Sequence, residues 1–198
     1  MRRWADRADG AADPGLPSNW HGGFYELSLL LGPADDERLD GAVRALWRAA
    51  GLGDHDELTG REPSALEVLR DHLRAVVDVP GFGRCVAAVM VIRLRDDDEV
   101  PVEDWLDLCL PLGSLSRRDR RVGGFPFGDT ERSRAWREPV EAWFAAVARA
   151  VHDQVPVRHA VTGNEVSGTE PHEARDGWVG LLVPGDDGAL VHHPVRSW

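Results

Sequence analysis

The stretch "RAVVDVPGFGRCVAAVMVIRL", Arg74 to Leu94, decides how the chain folds, because its first half has two readings. Leu66, Leu69, Leu73, Val76 and Val77 recur at helical spacing and would prolong a helix begun near Ser64 as far as Asp78. Against this, two runs rich in β-branched residues flank a Pro80-Gly81 turn signal, the pattern of a hairpin. The hairpin is the reading adopted, which makes residues 72–79 a strand and the neighbouring strands antiparallel.

Toward the N-terminus, Tyr25, Leu27, Leu29 and Leu31 alternate with Glu26 and Ser28, predicting a half-buried strand that Gly32-Pro33 ends. Asp35-Asp36-Glu37 place negative charge where a helix N-terminus is positive. Leu39, Val43, Leu46 and Ala50 then form a helical stripe that Gly51 closes. Ser64 and Glu67 stand at capping-box spacing and start a short second helix.

Toward the C-terminus, Arg95 to Pro101 read as a charged turn. In the next strand Trp105, Asp107 and Cys109 alternate with Leu106, Leu108 and Leu110, so Trp105 is expected on the more exposed face. Residues 114–133 read as a long polar loop, and Pro139 as a first-turn residue of the helix whose stripe is Val140, Phe144, Val147 and Val151. Trp47, Trp136 and Trp143 fall near helical stripes and suit the core or its rim.

The expected fold is α+β, in the order β-α-(short α)-β-β-β-α-β-β-β. It is a mostly antiparallel sheet of about six or seven strands with two principal helices packed on one face. Residues 1–19 lack periodicity and read as a flexible arm, leaving residues 20–198 as one α+β domain.

All 23 basic residues are Arg and the formal charge is −11. The Arg-for-Lys usage, with abundant Ala, Gly, Asp and Val, suggests a GC-rich bacterial source. The acidity disfavours general nucleic-acid binding and anionic lipid, and favours a basic protein partner. No secretory h-region and no long apolar run occur, so a cytoplasmic, non-membrane protein is expected. Cys85 and Cys109 lie in apolar stretches without a Cys-x-x-Cys pair and read as reduced core residues.

Four stretches hold candidate functional residues. In "WHGGFY", Gly22 and Gly23 suit a hinge, with His21 beside it as a candidate for proton transfer. In "RRDRRVGGFPFGD", Arg117, Arg118, Arg120 and Arg121 suit carboxylate or phosphate, and Phe125 and Phe127 add an apolar contact surface. "RHAVTGNEVSG" offers His159 and Glu165, the latter read as a partly buried acid or base. "TEPHEARD" groups Glu170, His172, Glu173 and Asp176 at spacing too loose for a metal centre, so neither metal nor cofactor is expected.

With no nucleophile elbow and no His-Glu-x-x-His present, two functions follow. One is a non-catalytic protein-interaction domain of immunity or inhibitor type, binding a basic partner through Trp105, Phe127 and the Arg/Phe loop. The alternative is a small enzyme that holds an anionic metabolite on Arg117 to Arg121 and uses Glu165, with His159 or His21, as acid and base.

Overall fold

The computed structural model of the protein describes residues 10–53, 61–124, 127, 130–169 and 179–194. Among these residues, seven strands form one antiparallel sheet. They are β1 (Phe24–Pro33), β2 (Leu73–Val79), β3 (Gly83–Arg95), β4 (Pro101–Pro111), β5 (His159–Asn164), β6 (Gly180–Pro184) and β7 (Leu190–His193). The spatial order is β2-β3-β4-β1-β5-β6-β7, so the first strand becomes the central one. Two three-stranded meanders flank it, one on each side.

Among the described residues there are four α-helices, α1 (Asp36–Ala50), α2 (Ala65–Arg70), α3 (Leu112–Arg118) and α4 (Glu131–His152). The α+β class, the antiparallel sheet and the element order match the sequence reading, with α3 as the addition. The α3 helix replaces the first turns of the expected polar loop because Leu112 and Leu115 are buried against the sheet end.

Local signals set these boundaries. Asp35 caps α1 by accepting the Arg38 amide at 2.7 Å, and Gly51 ends it in the left-handed conformation at φ 65°. Ser64 and Glu67 form the full capping box of α2, which stops at Asp71. The apolar spacing beyond it therefore belongs to β2, which pairs with β3 from Leu73↔Val89 to Val79↔Gly83. Leu66 and Leu69, counted in the helical alternative as core, are 55% and 37% exposed.

Thr130 caps α4 through its hydroxyl, at 3.1 Å from the Ser133 amide. Pro139 consequently lies inside the helix rather than in its first turn. The stripe Val140, Phe144, Val147 and Val151 is buried as read, together with Trp136, while Trp143 packs at the rim.

One face of the sheet carries Tyr25, Leu27, Leu29, Leu106, Leu108 and Leu110 against α1 and α4. The opposite face is not left to water either. From Gly10 onward, the segment read as an arm forms two 3-10 turns, Gly10–Ala12 and Pro17–Trp20, with Ala11 and Asn19 fully buried. The Asn19 amide donates to the Gly10 and Asp13 carbonyls, both at 2.8 Å. The Ser114 hydroxyl ties α3 to the Ala11 carbonyl at 2.7 Å. Gly113 permits this contact, since a Cβ there would lie 2.5 and 2.6 Å from the Ser18 and Asn19 carbonyl oxygens. Among the described residues, no helix is long and apolar enough to cross a membrane.

Candidate functional site

The register of β4, β1 and β5 arranges the face away from α1 and α4 in three rows. Cys109, Glu26 and Gly163 lie side by side in the first, Asp107, Ser28 and Val161 in the second, and Trp105, Leu30 and His159 in the third. The strand alternation that assigned Glu26 and Ser28 to a polar face was right about the face. The expectation of a half-buried strand is corrected, because the second face is covered too: Glu26 is 3% exposed, and Ser28 and Asp107 are fully buried.

A short strap after β5 covers the first two rows. Val166 is buried against Val161, which brings Ser167 down onto the carboxyls. The Ser167 amide donates to Glu26 Oε2 at 3.1 Å. Its Oγ lies 3.2 Å from the same oxygen and 2.8 Å from Asp107 Oδ2. Ser28 faces Asp107 across the β1–β4 pairing, and its hydroxyl, like that of Ser167, favours the charged Asp107 carboxylate.

Burial pushes both carboxyls above the ordinary carboxylate range, and the Asp107 charge raises Glu26 further. The amides of Val166 and Ser167 oppose the rise at Glu26. Beside them, burial and then the two carboxyls hold the Cys109 thiol well above its usual range. Burial likewise pushes the Cys85 thiol up to about 11. Both thiols are free, buried and held in the unreactive protonated form.

Trp105 is 1% exposed, with its ring edge-on to His159 at 5.3 Å between centroids and its Nε1 donating to Glu103 Oε2 at 3.2 Å. The expectation of an exposed Trp105 is thus corrected: it assumed an open second face, and that face is covered. Phe127 is corrected in the same way. It is 4% exposed and packs edge-on against Tyr25 and Trp136, inside the helix-side core. Phe125 lies outside the described residues, as do Glu170, His172, Glu173 and Asp176.

Arg117, Arg118 and Arg121 each have a partner within the chain. Arg117 donates to the Ser18 hydroxyl at 2.5 Å, and Arg118 to the Arg84 carbonyl at 2.9 Å. Arg121 forms a 2.6 Å ion pair with Asp119, and the Arg120 carbonyl accepts from Arg132 at 2.6 Å. These contacts brace α3 and its C-terminal turn.

His159 and Glu165 are also kept apart. His159 opens β5 and is buried, whereas Glu165 follows the strand's last residue with φ 50° and is exposed. The reading of Glu165 as partly buried is corrected by that bend, which takes it out of the alternating strand. Its side chain lies over Gly23, where an added Cβ would be 2.6 Å from Glu165 Oε1.

Gly22 and Gly23 adopt φ of 90° and 82°, conformations that favour glycine, and His21 is exposed beside them. The chain therefore bends at Gly22-Gly23 as it enters β1. Trp20 is held by its indole hydrogen bond to the Pro14 carbonyl at 2.9 Å and by Arg74 stacked 4.9 Å from the ring centroid.

The charged turn read from Arg95 to Pro101 is present, but the exposed apolar residues beside it escaped the sequence reading. The strands β3 and β4 continue past β2, whose pairing stops at Val89, and end in the turn Asp96–Val100. Residues 96 to 99 are all acidic and all exposed. Around them Leu94, Val100 and Val102 are 44%, 53% and 43% exposed. Asp96 spends its carboxylate on the turn itself, accepting the Asp98 and Val100 amides at 3.0 and 2.9 Å. At the hairpin's base, Arg93 forks onto the buried Asp104 at 2.6 and 3.0 Å and reaches Asp36 at 2.6 Å. The available signal was the unbroken acidic run between two valine-bearing strand ends.

Among the described residues, no group of three or more His, Cys, Asp or Glu is placed to hold a metal ion. Comparison of the chain with protein-family models, curated proteins and solved structures finds no match.

Proposed function

We propose that this chain is a non-catalytic protein-interaction domain of inhibitor or immunity type, and that the tip of the β3–β4 hairpin docks onto a basic protein. The supporting observation is the combination at that tip. Three large apolar side chains stand in water beside four consecutive acidic residues, on a hairpin stiffened at its base by the Arg93–Asp104 pair. Scattered exposed apolar residues are ordinary, but Leu94, Val100 and Val102 lie within nine residues of one hairpin tip, beside the acidic run and with Arg95 held on the Glu99 carbonyl at 2.6 Å, and such an apolar patch among polar groups suits an interaction site. The carboxylates would speed encounter and orient a basic partner, while Leu94, Val100 and Val102 would supply affinity by desolvation.

Parallel affinity capture with wild type and a Leu94→Ser/Val100→Ser variant tests this reading. A basic protein retained by wild type at low salt, released at high salt and missing from the variant eluate is the expected result. Identical eluates from the two proteins would overturn it.

A further inference from the structure

The Ser167 hydroxyl meets two carboxyl groups at once, and its proton count constrains their charge. A hydroxyl donates one proton and otherwise accepts. It lies 3.2 Å from Glu26 Oε2 and 2.8 Å from Asp107 Oδ2, both on side chains almost wholly shielded from water. With both carboxyls ionised, one of these contacts sets lone pair against lone pair. With one carboxyl protonated, its own O–H donates to Oγ while Oγ–H donates to the other, and both contacts are satisfied. Glu26 receives the Ser167 and Val166 amides, against the Ser28 hydroxyl that faces Asp107, and is the better carboxylate, so Asp107 is the natural holder of the proton.

We propose that Glu26 and Asp107 share one proton through the Ser167 hydroxyl, and that losing this proton unlatches the Glu165–Thr169 strap from the sheet. Among the described residues, the other groups facing the pair leave the proton to these two carboxyls. On β4, Cys109 is a protonated thiol. On β3, the adjoining row positions are Ala88 and Met90, and on β5 they are Gly163 and Val161, none of which is charged. On the strap itself Glu165 is turned to Gly23 and exposed.

The strap is also lightly anchored. Val166 packs with Val161, Val179 and Leu181 in a cluster separate from the main core. Deprotonation puts a second uncompensated charge beneath that contact, so a local opening relieves it without unfolding β1 or β4.

Hydrogen exchange of the full chain, followed residue by residue from about pH 5 to about pH 9 and corrected for intrinsic rates, tests the latch. The Val166 and Ser167 amides are expected to lose protection by about tenfold or more as pH rises, one pKa unit of difference between latched and open forms being tenfold. The Leu27 amide in the central strand should keep its protection and serves as the control. In Asp107→Asn, where position 107 cannot ionise, the strap should stay protected across the range. A flat wild-type profile would overturn the proposal, and so would an Asp107→Asn profile that still falls. A carboxyl carbon NMR titration of wild type keeps the question decidable if the variant fails to fold. Two separated macroscopic steps for the pair support the shared proton, and two ordinary carboxylate titrations contradict it.

Discussion

Tyr25, on the central strand, donates its phenolic hydrogen to Glu141 of the long helix, joining sheet to helix inside the core. Arg137, itself 3% exposed, lies beside both. Burial raises the Glu141 carboxyl above the ordinary range even with Tyr25 and Arg137 opposing the rise. Removing the phenol leaves the carboxyl buried without that donor. Tyr25→Phe should therefore cost about 1–3 kcal/mol, the usual penalty for an orphaned buried polar group. Urea unfolding at neutral pH measures it, and a change below a few tenths of a kcal/mol would show the contact to be idle.

The same carboxyl has a pH signature. Its folded pKa is raised, so the stability it contributes is fully present below its unfolded value of about 4.3 and is lost as pH rises through the folded value. Glu141→Gln removes that titration. The stability of wild type relative to Glu141→Gln should fall as pH increases above the ordinary carboxylate range. Midpoints of urea unfolding taken at several pH values check the sign, and a relative gain with rising pH would contradict it.

Arg93 and Asp104 make the strongest ion pair at the hairpin base. Asp104 is fully buried and also accepts the Asp35 amide at 3.0 Å, so it links β3 and β4 to the start of α1. Arg93→Ala should destabilise the fold by about 3–5 kcal/mol, because the remaining charge is buried and its fork of donors is gone. Arg93→Lys should recover part of this but not the two-pronged geometry. Thermal unfolding of the pair of variants distinguishes a fork from a simple point charge.

Gly113 fixes the N-terminal turns. A methyl group there would press on the carbonyls of Ser18 and Asn19, which are backbone atoms and cannot rotate away. Gly113→Ala should cost about 1–3 kcal/mol through overpacking and should loosen residues 10–20 first. Limited proteolysis checks it: faster cleavage within that segment, with the sheet intact, is the expected outcome.

The elements with strong local chemistry were legible in the sequence. The Pro80-Gly81 hairpin, the Ser64–Glu67 box, the Asp35 and Gly51 ends of α1 and the stripe of α4 each rest on neighbours a few residues apart. Strand order was not legible, because nothing local announces that β1 receives β4 on one edge and β5 on the other.

Burial on the second face was hidden for the same reason. Glu26 on β1 and Asp107 on β4 look like outer positions of their strands until Val166 and Ser167, distant in sequence, close over that face. Within the Arg117–Arg121 run, the sequence showed the charge of Arg117, Arg118 and Arg121 but not their partners. Ser18, Arg84 and Asp119 supply those partners from other parts of the chain.

The central claim, docking through the β3–β4 hairpin, is tested most directly by the exchange footprint of the complex with the captured partner. Protection of the Leu94 to Val102 amides on binding, absent in the Leu94→Ser/Val100→Ser variant, is the result this account predicts. Unchanged exchange at the hairpin, with new protection at residues 117–124 or around Glu165 instead, would contradict it.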